Sequence, residues 1–455
     1  MKVKERKDYV IRALFGREGL YQLKGKYDEA IEDNKYILRI TTEKRAVSSA
    51  YARISHALER KGKLKEALEY VEKAVEKAEG MPYEEARILN WKANVLLRLG
   101  KYESARKVIK GVLEILKTLE NEEISSSRDI LIEESIAYNT LASIYYGTRR
   151  LKKAAEYYEK GYEIRERLKD PAGISMMLNN LGVVYTELEE YERALDCLKR
   201  SLEIRKKLEH FHGIGSVWIN LAFVYDRMGE YGKALAACRR SLKYLGELGD
   251  LYGTAIVHME MGSIFEIQGK NKKAERHYLE ALTLRETIHD FHGAFDVILK
   301  LGDVALKKGE YKKVKRWIEK GRKTLEEMEW KEGEIDLLIL EGRWMISSGM
   351  GEGIKKIKGA LKMMREKEES PEDVLRLAKI INALLEADES FPQVEKYILF
   401  LEERLRKIKN IGVKCAVLQV LSRFYEKRDR KKSMGYKKEM EEISKEKGII
   451  HPLTG

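Results

Sequence analysis

Few side chains in this sequence stand at a spacing that could do chemistry. His210-Phe-His212 and His289-Asp-Phe-His292 each set two imidazoles close together, as a metal pair would. Two ligands make a poor site, and no third lies within sequence reach. Cys197, Cys238 and Cys415 form neither a disulfide framework nor a paired metal spacing. Cys197 and Cys238 read instead as small buried thiols. The 34 glycines are scattered and form no phosphate-binding loop. No Ser/His/Asp or paired-carboxylate arrangement rises above the charge background. These residues predict a protein that is not an enzyme and that has no catalytic residue, metal or cofactor.

Binding chemistry is better represented. The chain has a net charge of +13, and residues 401–455 contribute 15 Lys and Arg against 8 Asp and Glu. The densest stretch holds Lys427, Arg428, Arg430, Lys431, Lys432, Lys437 and Lys438. It has two readings: a nucleic-acid surface, or the solvated face of a terminal repeat on which nothing stacks. No zinc motif, aromatic RNA-binding strand or recognisable helix-turn-helix accompanies it.

The elements that position these groups repeat. Segments beginning at Tyr138, Leu178, Trp218, His258 and Ile298 align at intervals of 40 residues. A large residue precedes a small one at Leu141-Ala142, Leu181-Gly182, Leu221-Ala222, Met261-Gly262 and Leu301-Gly302. An aromatic follows at Tyr145, Tyr185, Tyr225 and Phe265, then Ala154, Ala194, Ala234, Ala274 and Val314. A second small column holds Gly161, Ser201, Ser241, Ala281 and Gly321. Small residues at fixed places let two helices approach closely, while Leu and Tyr fill the holes. Asp170, Asp250 and Asp290 read as helix N-caps, and Pro171 and Pro371 as first helical residues. Only 5 of 455 residues are proline, and Pro82, Pro171, Pro371 and Pro392 fall between predicted helices.

The pattern resembles the tetratricopeptide repeat family, in its variety of about 40 residues. Inside Leu178–Leu208 it is similar to the kinesin light chain type, through the runs LNNLGVVY and SLEIRKKL. The resemblance implies an all-α chain, an α-solenoid of stacked antiparallel helix hairpins forming a right-handed superhelix. It further implies a concave inner groove that binds peptides or partner proteins and catalyses nothing.

A helical wheel sets Leu178, Leu181, Gly182 and Tyr185 on one arc, with Met176, Asn180, Val183 and Glu187 opposite. Equivalent positions in the next repeats include Asn220, Phe223, Arg227, Ile256 and Glu260. With Asn179, these residues form the predicted peptide-binding groove. An amide both donates and accepts, so Asn180 and Asn220 could hold an extended peptide backbone, as the resemblance implies. The other reading has both amides bonding within their own repeats. Because both lie opposite the packed arc, their removal is expected to leave stability nearly unchanged.

Outside the central block the beat persists in weaker form. Gly25-Lys-Tyr27, Gly62-Lys-Leu64 and Gly100-Lys-Tyr102 mark earlier turns, and Ile354, Val394 and Met434 continue the later ones. Extra residues between Ala105 and Ala154 fall near Asn121, where a polar loop is expected. The sequence predicts ten helix pairs and a truncated eleventh. Its three parts are an N-terminal set of about three repeats (1–120), a regular block (121–337) and degenerate repeats with a basic cap (338–455). The start of the chain lacks an apolar signal core, which predicts a cytoplasmic protein. Abundant Lys and Glu give it a thermophile-like surface of ion pairs. The expected function is an interaction scaffold holding a peptide or partner segment. The alternatives are a nucleic-acid-associated or regulatory adaptor using the basic end, and self-assembly through the end repeats near Leu340, Trp344 and Met345. No membrane partner is expected.

Overall fold

The computed structural model describes residues 2–23, 26–121, 127–328, 330, 332–364, 371–387 and 394–447. These residues form 22 α-helices and no strand. Two compact units divide the chain, Met1–Leu188 and Glu189–Gly455. Gly25 and Pro392, singled out above, lie outside the described residues.

The first unit holds α1 (Lys2–Leu23), α2 (Tyr27–Ile40), α3 (Lys44–Arg60), α4 (Leu64–Ala78) and α5 (Pro82–Arg98). It continues through α6 (Tyr102–Asn121), α7 (Ser127–Gly147), α8 (Leu151–Arg167) and α9 (Pro171–Glu187). The second holds α10 (Tyr191–Lys207), α11 (Phe211–Arg227), α12 (Tyr231–Glu247), α13 (Leu251–Ile267), α14 (Asn271–Thr287) and α15 (Phe291–Lys307). After α16 (Tyr311–Met328) come α17 (Glu332–Ser347), α18 (Glu352–Met363), α19 (Pro371–Glu386), α20 (Val394–Leu405), α21 (Ile411–Tyr425) and α22 (Arg430–Lys447). Within each unit successive helices pair and successive pairs stack: α3 on α4 on α5, and α11 on α12 on α13. This is the all-α solenoid architecture the period of 40 predicts.

Small residues set the close approaches. Ala154, Ala194, Ala234, Ala274 and Val314 are all fully buried. A Cβ added to Gly262 would meet the Tyr278 ring at 2.5 Å, so only hydrogen fits there. Ser241 repairs its own burial by donating its hydroxyl to the Gly215 carbonyl at 2.9 Å.

Each helix from α7 to α15 ends in one left-handed residue. These fall every 20 residues: Arg149, Lys169, Glu189, Glu209, Gly229, Gly249, Gly269, His289 and Gly309. At Lys169, the amide of Asp170 closes back on the Arg165 carbonyl at 3.0 Å, the six-to-one bond of a Schellman turn. The next helix then starts on a side-chain cap. Asp170, Asp250 and Asp290 accept from the amides of Gly173, Gly253 and Gly293 at 3.1, 2.9 and 3.0 Å. Pro82 and Pro171 stand at helix starts, as expected. Buried Arg165 and Arg285 tie two of these caps down through ion pairs to Asp170 and Asp290.

Three expectations change. The eleventh hairpin is not truncated, since α21 and α22 run 15 and 18 residues and pack on each other. The excess between Ala105 and Ala154 is largely helix: α6 and α7 run 20 and 21 residues, against 17 for α8 and α9. The rest of that connection, residues 122–126, lies outside the described residues. Leu340 is buried, and half-buried Trp344 packs against the cluster that Leu340 shares with Phe295, Val314 and Ile318. Leu340 and Trp344 thus serve the stacking of α17 on α15 and α16, where a self-assembly patch was expected.

Candidate functional site

In the first unit, Met176, Asn179, Asn180, Val183 and Glu187 are all half-buried on α9, while Leu178, Leu181, Gly182 and Tyr185 are buried. The wheel therefore separates the two sides correctly. Met177 and Val184 are buried as well, because the helix is flanked on more than one side. Asn180 does not stand alone: its Nδ2 donates to Asn139 Oδ1 at 2.9 Å, one repeat earlier. Glu187 pairs with Arg149 at 3.1 Å. The amide is thus part of a link between neighbouring repeats, which neither sequence reading anticipated.

The second unit holds a cavity of about 430 Å³. Phe223 and Arg227 of α11 and Glu260 of α13, three of the predicted groove residues, line it. Asn220 on α11 and Ile256 on α13 are half-buried on the same helices but are not part of its lining. Helix α15 adds Lys300, Asp303 and Lys307 at the positions the wheel assigned to the same face. The far wall comes from the chain's end: Leu375, Ala378 and Lys379 of α19, with Val413, Ala416 and Val420 of α21.

That wall is held by specific contacts. The amides of Lys409 and Asn410 donate to the Glu189 carboxylate at 3.0 and 3.2 Å. Lys409 Nζ also reaches the Glu189 carbonyl at 3.1 Å. Asn410 then caps α21, accepting from the Val413 amide at 3.1 Å. Sequence patterning missed this wall because nothing periodic links residues 220 positions apart.

The charges of the cavity sort into matched and unmatched groups. Lys307 donates to Glu266 at 2.6 Å, and Tyr278 donates its hydroxyl to the same carboxylate at 2.7 Å. Burial alone would raise the Glu266 pKa, but Lys307 and Lys300 outweigh it and hold the group down to about 2. Asp303 accepts from Arg343 and from Lys379, the latter at 2.8 Å, and is held well below the usual range despite its burial. Asp226 and Glu260 behave differently. Burial pushes Asp226 up to about 6 and Glu260 well above the usual carboxylate range. Asp226 Oδ1 and Glu260 Oε1 are buried without a hydrogen-bond partner.

The remaining sequence candidates resolve as follows. Cys197 and Cys238 are buried, and burial pushes the Cys238 thiol up. His212 pairs with Asp250 at 3.0 Å. No group of three metal-ligating side chains occurs among the described residues. In the basic stretch, Lys427, Arg428, Arg430, Lys431, Lys432 and Lys438 are exposed and Lys437 half-buried. Several are already engaged: Lys437 with Glu426 at 2.7 Å, Lys432 with Glu402 at 3.4 Å, and Arg428 over the Phe424 ring at 4.2 Å. No helix among the described residues is long and apolar enough to cross a membrane.

Models of the tetratricopeptide repeat match residues 133–207 and 213–287, and a second such model matches 53–117. Over these residues the chain is built of tetratricopeptide repeats. No curated protein sequence matches it. Among solved structures it is similar to a Rap protein complexed with competence and sporulation factor, at 16% identity and TM-score 0.54, over 89% of this chain and 99% of that one. The apo form of RapI aligns at 15% identity and TM-score 0.54, over 84% and 99% of the two chains. A signal transduction ATPase with numerous domains and a tetratricopeptide repeat sensor, from Pyrococcus horikoshii, aligns at 16% identity and TM-score 0.52. That match covers 71% of this chain and 48% of the other. At these identities the likeness is one of fold.

Proposed function

We propose that this protein is a non-catalytic interaction scaffold that holds a peptide or partner segment on the inner face of its repeats. The observation that carries this reading is the cavity of the second unit, built from equivalent positions of α11, α13 and α15. A repeated face offers a ligand the same kind of contact at each step, which suits an extended chain. Phe223, Ile267 and Leu375 supply apolar surface, and the charged groups around them supply orientation. The match in fold to a Rap protein solved with a bound factor supports a ligand-holding role for this architecture.

The test is direct binding. Immobilised full-length protein is exposed to a displayed peptide library, and enriched sequences are titrated calorimetrically. Phe223→Ala should weaken a selected peptide by tenfold or more while the thermal melt shifts little, since the side chain is half-buried at the cavity wall. Selected peptides that bind wild type and Phe223→Ala equally would place binding elsewhere.

A further inference from the structure

Asp226 and Glu260 are the unexplained groups of the cavity. Glu260 is only 8% exposed, and each carboxyl keeps one buried oxygen without a partner. Buried carboxyls are normally matched, because an unmade hydrogen bond there costs about 1–3 kcal/mol. The other two acids of the lining, Glu266 and Asp303, show what matching looks like: each accepts from at least one lysine or arginine. Lys300 leans toward Glu266, at 3.9 Å. The opposite wall carries a strip of Leu375, Ala378, Val413, Ala416 and Val420 beside the polar Asn382, Asn410 and Gln419, and its cation, Lys379, is taken by Asp303 at 2.8 Å. A long aliphatic stem ending in a cation fits both surfaces at once.

Resting on the peptide-binding reading above, we propose that the Asp226–Glu260 corner takes the side chain of a lysine or arginine carried by the bound peptide. Its head would pair with the Asp226 and Glu260 carboxyls once their side chains turn the buried, unpartnered oxygens toward the cavity, and its stem would lie along α19 and α21. Binding then depends on pH. The groups facing the pair are Arg227 of α11, Lys300 of α15, and Tyr231 and Cys238 of α12. Arg227 and Lys300 stay charged near neutrality, and burial keeps Tyr231 and Cys238 neutral. The change between pH 5 and 7.5 therefore belongs to Asp226, which burial pushes up to about 6, while burial holds Glu260 toward its neutral form as well. A cation gains most where Asp226 is ionised, so its advantage grows as pH rises through about 6.

Heptapeptide pools fixed at one position as Lys, Arg, norleucine or Glu are titrated into the full chain and into Asp226→Asn and Glu260→Gln, each checked by thermal melt. The Lys or Arg pool should bind at least tenfold tighter than the norleucine pool at pH 7.5, and this advantage should shrink at pH 5. Each variant should remove the preference, while norleucine binding changes less than twofold. Two separate variants keep a readout if one folds poorly. Equal binding of norleucine or Glu pools, or a preference surviving in both variants, would overturn the cation site and leave the groove reading standing. If no pool binds, the groove reading itself fails, and this inference with it. A parallel titration with calcium or magnesium alone, giving stoichiometric heat that Glu260→Gln abolishes with no peptide preference, would replace the peptide cation with a metal ion.

Discussion

Single atoms decide the stability of the repeat columns. Ala234 is fully buried and packs with Tyr231 and Ile264. Three extra heavy atoms have no space there, so Ala234→Leu should destabilise the fold by roughly 1–3 kcal/mol. Ala194→Leu should act alike, and urea unfolding measures both. A pair of variants as stable as wild type would show that these columns tolerate volume. Asn180→Ala now carries a different expectation from the one its wheel position suggests. Its amide is the donor to Asn139, so removal should cost on the order of 1 kcal/mol of stability. A thermal melt unchanged by the substitution would show the link contributes nothing.

The histidine pair at the α13–α14 junction titrates. His258 and His277 face each other through Nδ1 at 3.2 Å, and Phe265 stacks on His277. Burial first, then the neighbouring His258 and Arg276, lowers His277 to about 4; burial also lowers His258. The unfolded chain takes up these protons near pH 6.5 and the folded chain only at lower pH. The pair's contribution is therefore complete above about pH 6.5 and is lost as pH falls toward about 4. His277→Gln should flatten that part of the stability profile between pH 6.5 and 4.5. Identical pH slopes for variant and wild type would remove the pair from the account.

At the scale of the element, the helix ends carry the most information. A left-handed residue every 20 positions is a geometric demand of the hairpin, yet five of the nine in the regular block are not glycine. A side chain in that conformation costs roughly 1–2 kcal/mol, which glycine avoids at an entropic cost of up to about 1 kcal/mol. Exposed Glu209 makes the simple case, and Glu209→Gly should stabilise by up to about 1 kcal/mol. Glu189 shares the conformation but holds the Lys409 and Asn410 amides. Glu189→Gly should therefore gain less or lose stability, and should raise amide exchange at the start of α21. Equal gains at the two sites would mean that the Glu189 contact holds nothing in solution. Ion pairs repeat with the elements too. Arg376 forks onto Asp336 at 2.9 and 2.7 Å, and Arg343 reaches Asp303, each 40 positions away. Opposite charges at the repeat interval were open to inspection in the sequence, and they would have identified Arg343 as a neighbour of the groove.

Over the whole molecule, helical period, small-residue columns, caps and turns follow from the sequence alone. Each is a local demand that recurs at a fixed interval, so five copies in register average out the noise of any one. That Phe223, Arg227 and Glu260 share one side of α11 and α13 was legible for the same reason: a wheel needs only the packed arc to locate its opposite. The degenerate end was harder. Described residues of α17 to α22 still build one shared apolar core, from Ile339 through Ile381 and Val417 to Met440, although the consensus has faded. Cores accept many apolar sequences of suitable volume, so packing outlasts the motif that would announce it. What only the tertiary structure decided is the cavity. Phe223, Asp226 and Glu260 become a site because α19 and α21 supply a wall more than 100 residues away in sequence, pinned by Glu189 to the Lys409–Asn410 turn. Burial then sets which acids are matched and which are not, and burial depends on what packs across from a residue. Periodicity tells a chain which way a side chain faces; only the closed fold determines what it faces.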